Sequence, residues 1–124
     1  MPFAVSDAVS QVLATALDGV SLRQRVIADN IANVDTPGFR ATSVDFETQL
    51  RAAIDDGAFT AREGAPVDTG ATTTPTDTPV GANGNNVDLR KETMGAIQSQ
   101  FQYQMLTRAV SDRFNLVKTA ATGQ

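Results

Sequence analysis

A helical apolar seam that breaks off at a proline constrains this chain more than any other feature. Leu13, Leu17, Val20, Gln24, Ile27, Ile31 and Val34 recur at alternating spacings of four and three. That is a narrow heptad seam with one polar interruption, the mark of a long amphipathic helix. Asp35-Thr36-Pro37-Gly38 then ends it. Pro37 fixes φ at about −65° and disfavours helix at Thr36, while Gly38 permits the positive φ that the third position of a type II turn requires. The block Asn30-Ile31-Ala32-Asn33-Val34-Asp35-Thr36-Pro37-Gly38-Phe39 carries more stop devices than a helix end needs. It reads either as a helix terminus with its turn, or as a docking element whose Asn30 and Asn33 bond the backbone of an adjoining chain and fix register.

The pattern divides the chain into four stretches. Residues 1–34 read as the first helix, with Ser6 as a candidate N-cap and Asp7 complementing the positive helix end. Gly19 is its weak point, costing about 1 kcal/mol relative to alanine. Residues 35–56 hold a turn and a partly alternating segment (Phe39, Ala41, Val44, Phe46, Leu50), with a short helix possible from Thr48 to Ile54 that Asp55-Asp56-Gly57 would end. Residues 57–86 are rich in Gly, Thr and Pro and bury too little apolar surface to offset their ordering entropy, so a flexible or partner-ordered loop is expected. Residues 87–124 read as a second long helix, capped by Asn86 or Asp88, with Glu92 near its start and Gly123 as its stop.

In that last helix Met94, Ile97, Phe101 and Met105 form one apolar row. Leu106, Val110, Phe114 and Val117 continue it after a shift of one position, a stutter. Each terminal helix is long enough to span roughly 40 Å. The fold class expected is all-α: two long amphipathic terminal helices packed as an antiparallel, coiled-coil-like hairpin, with an irregular middle in which short strand or hairpin elements are possible. Two such helices leave apolar faces uncovered, and a chain this small buries little surface alone. Leu13, Leu17, Val20, Ile27 and Ile31, with Met94, Ile97, Phe101, Leu106, Val110 and Phe114, are the predicted helical core and interface. The chain looks built to complete that core with neighbours.

Composition narrows the chemistry. The chain has 124 residues, no Cys, no His and a net charge of −4. Thiolate nucleophiles, disulfides, Cys/His zinc sites and imidazole catalysis are therefore absent. No basic run offers a footprint for nucleic acid or an anionic membrane. Asp45, Glu47, Asp55 and Asp56 read as solvated surface. Gly81–Asn86 resembles a calcium loop but lacks the late bidentate glutamate, and reads as turn chemistry. Gln98, Gln100, Gln102 and Gln104 spread around the second helix as polar surface or as subunit-facing amides. No catalytic, metal or cofactor site is expected, and no small-molecule substrate. The first cation is Arg23, so no basic leader region precedes an apolar stretch, and a cleaved signal peptide is not expected.

Taken together, these residues resemble the bacterial flagellar axial proteins, and within them the proximal-rod proteins of the basal body. One signature is Asn30 through Phe39 with Arg40, followed by Val44-Asp45-Phe46-Glu47 and Leu50. The other is Gly84-Asn85-Asn86-Val87-Asp88-Leu89, then Glu92, Tyr103-Gln104 and Val117–Gly123. Only the Thr/Pro-rich middle falls outside the resemblance. Arg90 stands where an acidic residue is common, and Thr93 where a Met often follows the glutamate.

The resemblance implies terminal helices paired in the inner layer of a helical tube, with the segment after Pro37 packed alongside. It implies a non-enzymatic structural subunit that polymerises through those helices into a torque-transmitting shaft. Its partners would be further copies, other rod proteins, and export-gate and inner-membrane-ring components. It would reach the periplasmic rod as an unfolded chain through the flagellar type III apparatus. Asn30, Ile31, Ala32, Asn33, Thr36, Pro37, Gly38 and Phe39 would form the assembly and turn motif. A soluble helical adaptor or export chaperone is the alternative. A second rod paralogue would be expected to carry Pro-Asn-Val before its last helix, where Asn85-Asn86-Val87 stands. An acid-dependent hydrolase would cluster Asp45, Glu47 and Asp88 in a pocket.

Overall fold

The computed structural model describes residues 2–61 and 71–123, with side chains over 8–59 and 71–123. It is mostly helical. A first helix, α1 (Pro2–Ala32), leads into strand β1 (Thr42–Val44), then α2 (Glu47–Asp55) and the single turn α3 (Ala58–Ala61). Strand β2 (Thr73–Pro75) precedes the last helix, α4 (Leu89–Thr122).

Helix α1 begins at Pro2, so Ser6 is interior to it and not its N-cap. Proline is tolerated in a first turn, where its missing N–H has no helical partner anyway. The helix ends at Ala32, two residues short of Val34, by tightening: Asn33 N–H reaches both Asp29 O and Asn30 O, and Val34 N–H reaches Ile31 O. Helix α4 starts with Asp88 as N-cap, its side chain accepting from Lys91 N, and stops at Gly123 in the left-handed region with φ 70°. In the middle, α2 ends at Asp55, followed by Asp56 as C-cap and Gly57 at φ 73°.

Strands β1 and β2 pair antiparallel, with Ser43 opposite Thr74. Part of the stretch expected as a loose loop is therefore tied down: Thr73–Pro75 completes a ladder with residues 42–44, and Thr76 N–H continues to Ala41 O. Backbone hydrogen bonding supplies there what apolar burial does not. Residues 62–70 of the same expected loop lie outside the described residues.

The apolar core is small. Ala16 and Val20 of α1 pack with Val44 and Phe46, and half-buried Leu22, Val26, Leu50, Ala71 and Leu106 close around them. Helix α4 runs back along α1: Gly95 lies beside Ile27, Gln102 beside Arg23, and Leu106 against the cluster holding Ala16 and Val20. The side of α4 that meets α1 carries Glu92, Gly95, Ser99, Gln102 and Leu106, and only Leu106 is a large apolar residue. Small side chains let the helices approach closely. A β-carbon on Gly95 would already lie 3.3 Å from Ile27 Cδ1, and Ser99 is fully buried.

Candidate assembly surface

The helix-exit block and the Gly-Asn-Asn-Val run, 45 or more residues apart in sequence, are one structure. Asn30, buried, donates from Nδ2 to Thr42 O (2.8 Å) and accepts at Oδ1 from Thr42 N (3.2 Å). Its side chain thereby substitutes for a strand partner and holds the start of β1 against α1. Asn33 donates to Asp29 O and accepts from the Thr36 hydroxyl. Both asparagines make these bonds within their own chain, as the reading of a helix terminus with its turn expects.

Asn85 completes the helix end. Its Nδ2 donates to Asn33 O and Thr36 O, both at 2.8 Å, a second donor to each of two carbonyls that also accept from Thr36 N–H and Phe39 N–H. Its Oδ1 accepts from Val87 N. Asn86 Oδ1 accepts from Ala41 N at 2.6 Å, and Asn86 N–H reaches Phe39 O. The turn itself closes as its sequence suggests: Phe39 N–H meets Thr36 O at 3.2 Å, with Gly38 at φ 75°. Gly38 N–H also reaches Asn83 O, and Gly84 passes so near that a β-carbon on it would lie 3.2 Å from Gly38 Cα.

A second junction centres on Arg23. Its guanidinium donates to both Glu47 oxygens (2.6 Å each), to Val44 O and to Gln102 Oε1, and lies 4.8 Å above the Phe46 ring. One side chain thus joins α1, β1, α2 and α4. One turn earlier, Gly19 leaves the slot that the Phe46 ring fills. Sequence reading took Gly19 only as a weak point of the helix and gave Arg23 no partner. The only signal was a glycine and an arginine four apart in an otherwise good helix, which names no partner.

The predicted interface residues divide by helix. Val20 is fully buried, and Leu13, Leu17, Ile27 and Ile31 are half-buried. On α4, Leu106 is half-buried, but Met94, Ile97, Phe101 (62% exposed), Val110 and Phe114 (71% exposed) face outward in the single chain. The row Met94-Ile97-Phe101-Met105 does not continue into Leu106. One residue later is about 100° further round the helix, and that rotation carries Leu106 onto the α1 side. In the exit motif Asn30 is buried, Ile31, Asn33 and Phe39 are half-buried, and Ala32, Thr36, Pro37 and Gly38 are exposed. Toward the open end of the hairpin, Gln11 Oε1 and Arg113 Nε are buried without a hydrogen-bond partner among the described residues.

Asp45, Glu47 and Asp88 do not share one pocket. Glu47 is held by Arg23, Asp45 bonds Thr48 at the start of α2, and the cleft that includes Asp88 includes neither. Among the described residues no group of three or more His, Cys, Asp or Glu is placed to hold a metal, and no helix is long and apolar enough to cross a membrane.

Sequence comparison bears on what such a surface is for. A family model described as "Flagella basal body rod protein" matches residues 11–40. The chain is 35% identical over 119 residues to the flagellar basal body rod protein FlgB of Bacillus subtilis, covering 91% of this chain and 92% of that one. It is 36% identical to FlgB of Borrelia hermsii over 116 residues (82% and 86%) and 33% identical to FlgB of Escherichia coli over 120 residues (85% and 86%).

Proposed function

The chain belongs to the FlgB family of flagellar basal-body rod proteins, and on that premise we propose how it serves the rod. It is a structural subunit of the basal-body rod. Our reading adds that it lies in the proximal rod and polymerises through its terminal helices, without enzymatic activity. Neighbouring subunits then complete the coiled-coil-like packing that one hairpin leaves open.

The observation that carries this reading is the direction of the α4 apolar row. The helix meets its own chain through small and polar residues and turns Met94, Ile97, Phe101 and Met105 outward. Each such side chain, once buried, contributes about 1.5–3 kcal/mol. The row together is enough to drive subunit packing. The apolar patch on α4 and the surfaces of α1 and the clamp are different, and different patches meeting head to tail build open helical assemblies. The Asn clamp and the Arg23 junction make the subunit one stiff piece, as a shaft that transmits torque requires.

The proposed partners are further copies, other rod proteins, and export-gate and inner-membrane-ring components at the rod base. Delivery by the flagellar type III apparatus, without a cleaved signal peptide, belongs to the same reading. The adaptor or chaperone alternative is not favoured by relatives that are rod proteins over most of their length. The test is electron cryomicroscopy of detergent-purified basal bodies containing a tagged copy. Density for both terminal helices at the rod base, with a neighbour covering the Phe101 side of α4, is the expected result. A chain absent from basal bodies and soluble in the cytoplasm would sink the proposal.

A further inference from the structure

Asn83 is the only asparagine in the chain that a glycine follows; the others precede Ile, Val, Asn or Leu. That pair is chemically weak. Glycine has no β-carbon to obstruct its own nitrogen, so the Gly84 nitrogen, once it gives its proton to hydroxide, is free to attack Asn83 Cγ. A C–N bond forms, ammonia leaves from the amide, and a cyclic succinimide remains. Water then opens the ring at either carbonyl, giving aspartate or an isoaspartate whose backbone runs through the former side chain. The sum is amide plus water to acid plus ammonia, with nothing oxidised or reduced.

The fold requires this glycine. Gly84 has φ 80°, and a β-carbon on it would lie 3.2 Å from Gly38 Cα. A side chain that slowed the attack would strain the backbone and press on the neighbouring turn. The reacting groups are restrained by hydrogen bonds instead. Gly84 N–H donates to Gly81 O at 3.0 Å, and Asn83 Oδ1 accepts from Asn85 N–H at 3.2 Å. Asn83 O accepts from Gly38 N–H at 2.9 Å, which ties this turn to the helix exit. Asn83 is exposed, so water reaches it and burial is not its protection. Ring closure has to break the first two of these bonds. Asn85, which supplies one of them, is itself held to Asn33 O and Thr36 O.

We propose that Asn83 is a site of spontaneous hydrolytic deamidation, open in the unfolded chain and closed by the asparagine clamp. The aspartyl product keeps an acceptor for Asn85 N–H. The isoaspartyl product breaks the clamp, because its extra backbone carbon displaces Gly84 from Gly38, where the two chains of backbone already meet closely. A chain that ages before it folds therefore loses the junction between the end of α1 and the start of α4. The site does not depend on the chain's place in the rod.

The experiment incubates the purified full-length chain in buffer and in urea, at one mildly alkaline pH and one temperature. Peptides carrying position 83 are then weighed for conversion of amide to acid. Conversion should be slower in the folded chain by about tenfold or more, the cost of opening two hydrogen bonds together. In buffer, Asn85→Ala should bring the rate toward the urea value. Equal wild-type rates in the two conditions, or an Asn85→Ala chain as slow as wild type, would overturn the closure. The wild-type comparison stands whether or not that variant folds. After dilution from urea, chains bearing isoaspartate, separated by chromatography, should fail to regain the amide protection at residues 33–39 that an Asn83→Asp chain regains. Full recovery by the isoaspartyl chain would overturn the effect on the clamp.

Discussion

The Phe46 ring rests on the backbone of α1 at Gly19, so close that any β-carbon there would overlap it. Arg23, one turn on, lies over the same ring. A helix-breaking residue and a bulky aromatic thus form one joint, which fixes the segment after β1 to the first helix.

Gly19→Ala therefore sets two effects against each other. Helix propensity favours alanine by about 1 kcal/mol, whereas overpacking costs about 1–3 kcal/mol. Because the overlap is with a ring locked under Arg23, overpacking should win and the thermal midpoint should fall. Adding Phe46→Leu should recover part of the loss. A Gly19→Ala chain that melts higher than wild type would refute the joint.

Asn85→Ala removes the donor to Asn33 O and Thr36 O together. Each carbonyl keeps a backbone donor, Thr36 N–H and Phe39 N–H, so the loss is of two further hydrogen bonds and should cost about 1–3 kcal/mol. Asn85→Asp should be worse, since it aims a carboxylate at two carbonyl oxygens. Urea denaturation of the three chains should rank them in that order, and amide exchange should rise first around residues 33–39.

A β-carbon on Gly38 would meet nothing within 4 Å, so the cost of a side chain there is purely backbone. A non-glycine residue at φ 75° costs about 1–2 kcal/mol, with asparagine the mildest and β-branched residues the worst. Gly38→Asn should keep motility and rod yield near normal, and Gly38→Val should damage both. Equal behaviour of the two would argue against the turn.

Phe101 and Leu106 stand on different sides of α4, one outward and one inward. Leu106→Ala should lower the stability of the isolated chain by on the order of 2 kcal/mol. Phe101→Ser should change it by less than about 0.5 kcal/mol yet reduce recovery in basal bodies. Thermal melting and basal-body yield, measured side by side, separate the two roles.

Hydrogen bonds from Thr48, its hydroxyl first and then its backbone N–H, hold the Asp45 carboxyl below its ordinary value of 3.8. The folded chain favours the charged form. The contribution to the start of α2 is therefore complete above that value and is lost as pH falls through the lowered one. Protection of the Thr48 amide, relative to its intrinsic exchange rate, should fall as pH drops below about 3.8, and Asp45→Asn should remove that fall.

Much of this chain was legible from local sequence. The apolar seam gave α1, Pro37 and Gly38 gave the turn, and Asp88 and Gly123 gave the ends of α4, because caps and turns are decided by a few neighbouring residues. The short helix before Asp56 and Gly57 was readable for the same reason. Periodicity also placed Met94, Ile97, Phe101 and Met105 on one face.

What that face looks toward was not readable. A repeat shows that apolar residues share a side, but not whether the chain's own helix or a neighbour covers it. That choice fell to Gly95 and Ser99, whose small size lets α4 approach α1 on the other side. The pairing of Asn85 with Asn33 and Thr36, the slot at Gly19 and the four-way hold of Arg23 likewise depend on residues from 4 to 79 positions apart. The sequence by itself determined the helices, their ends and the turn between them, since those rest on short-range sterics and hydrogen bonding. Only the tertiary structure decided which faces meet, because close packing selects among the registers that a repeating pattern leaves equivalent.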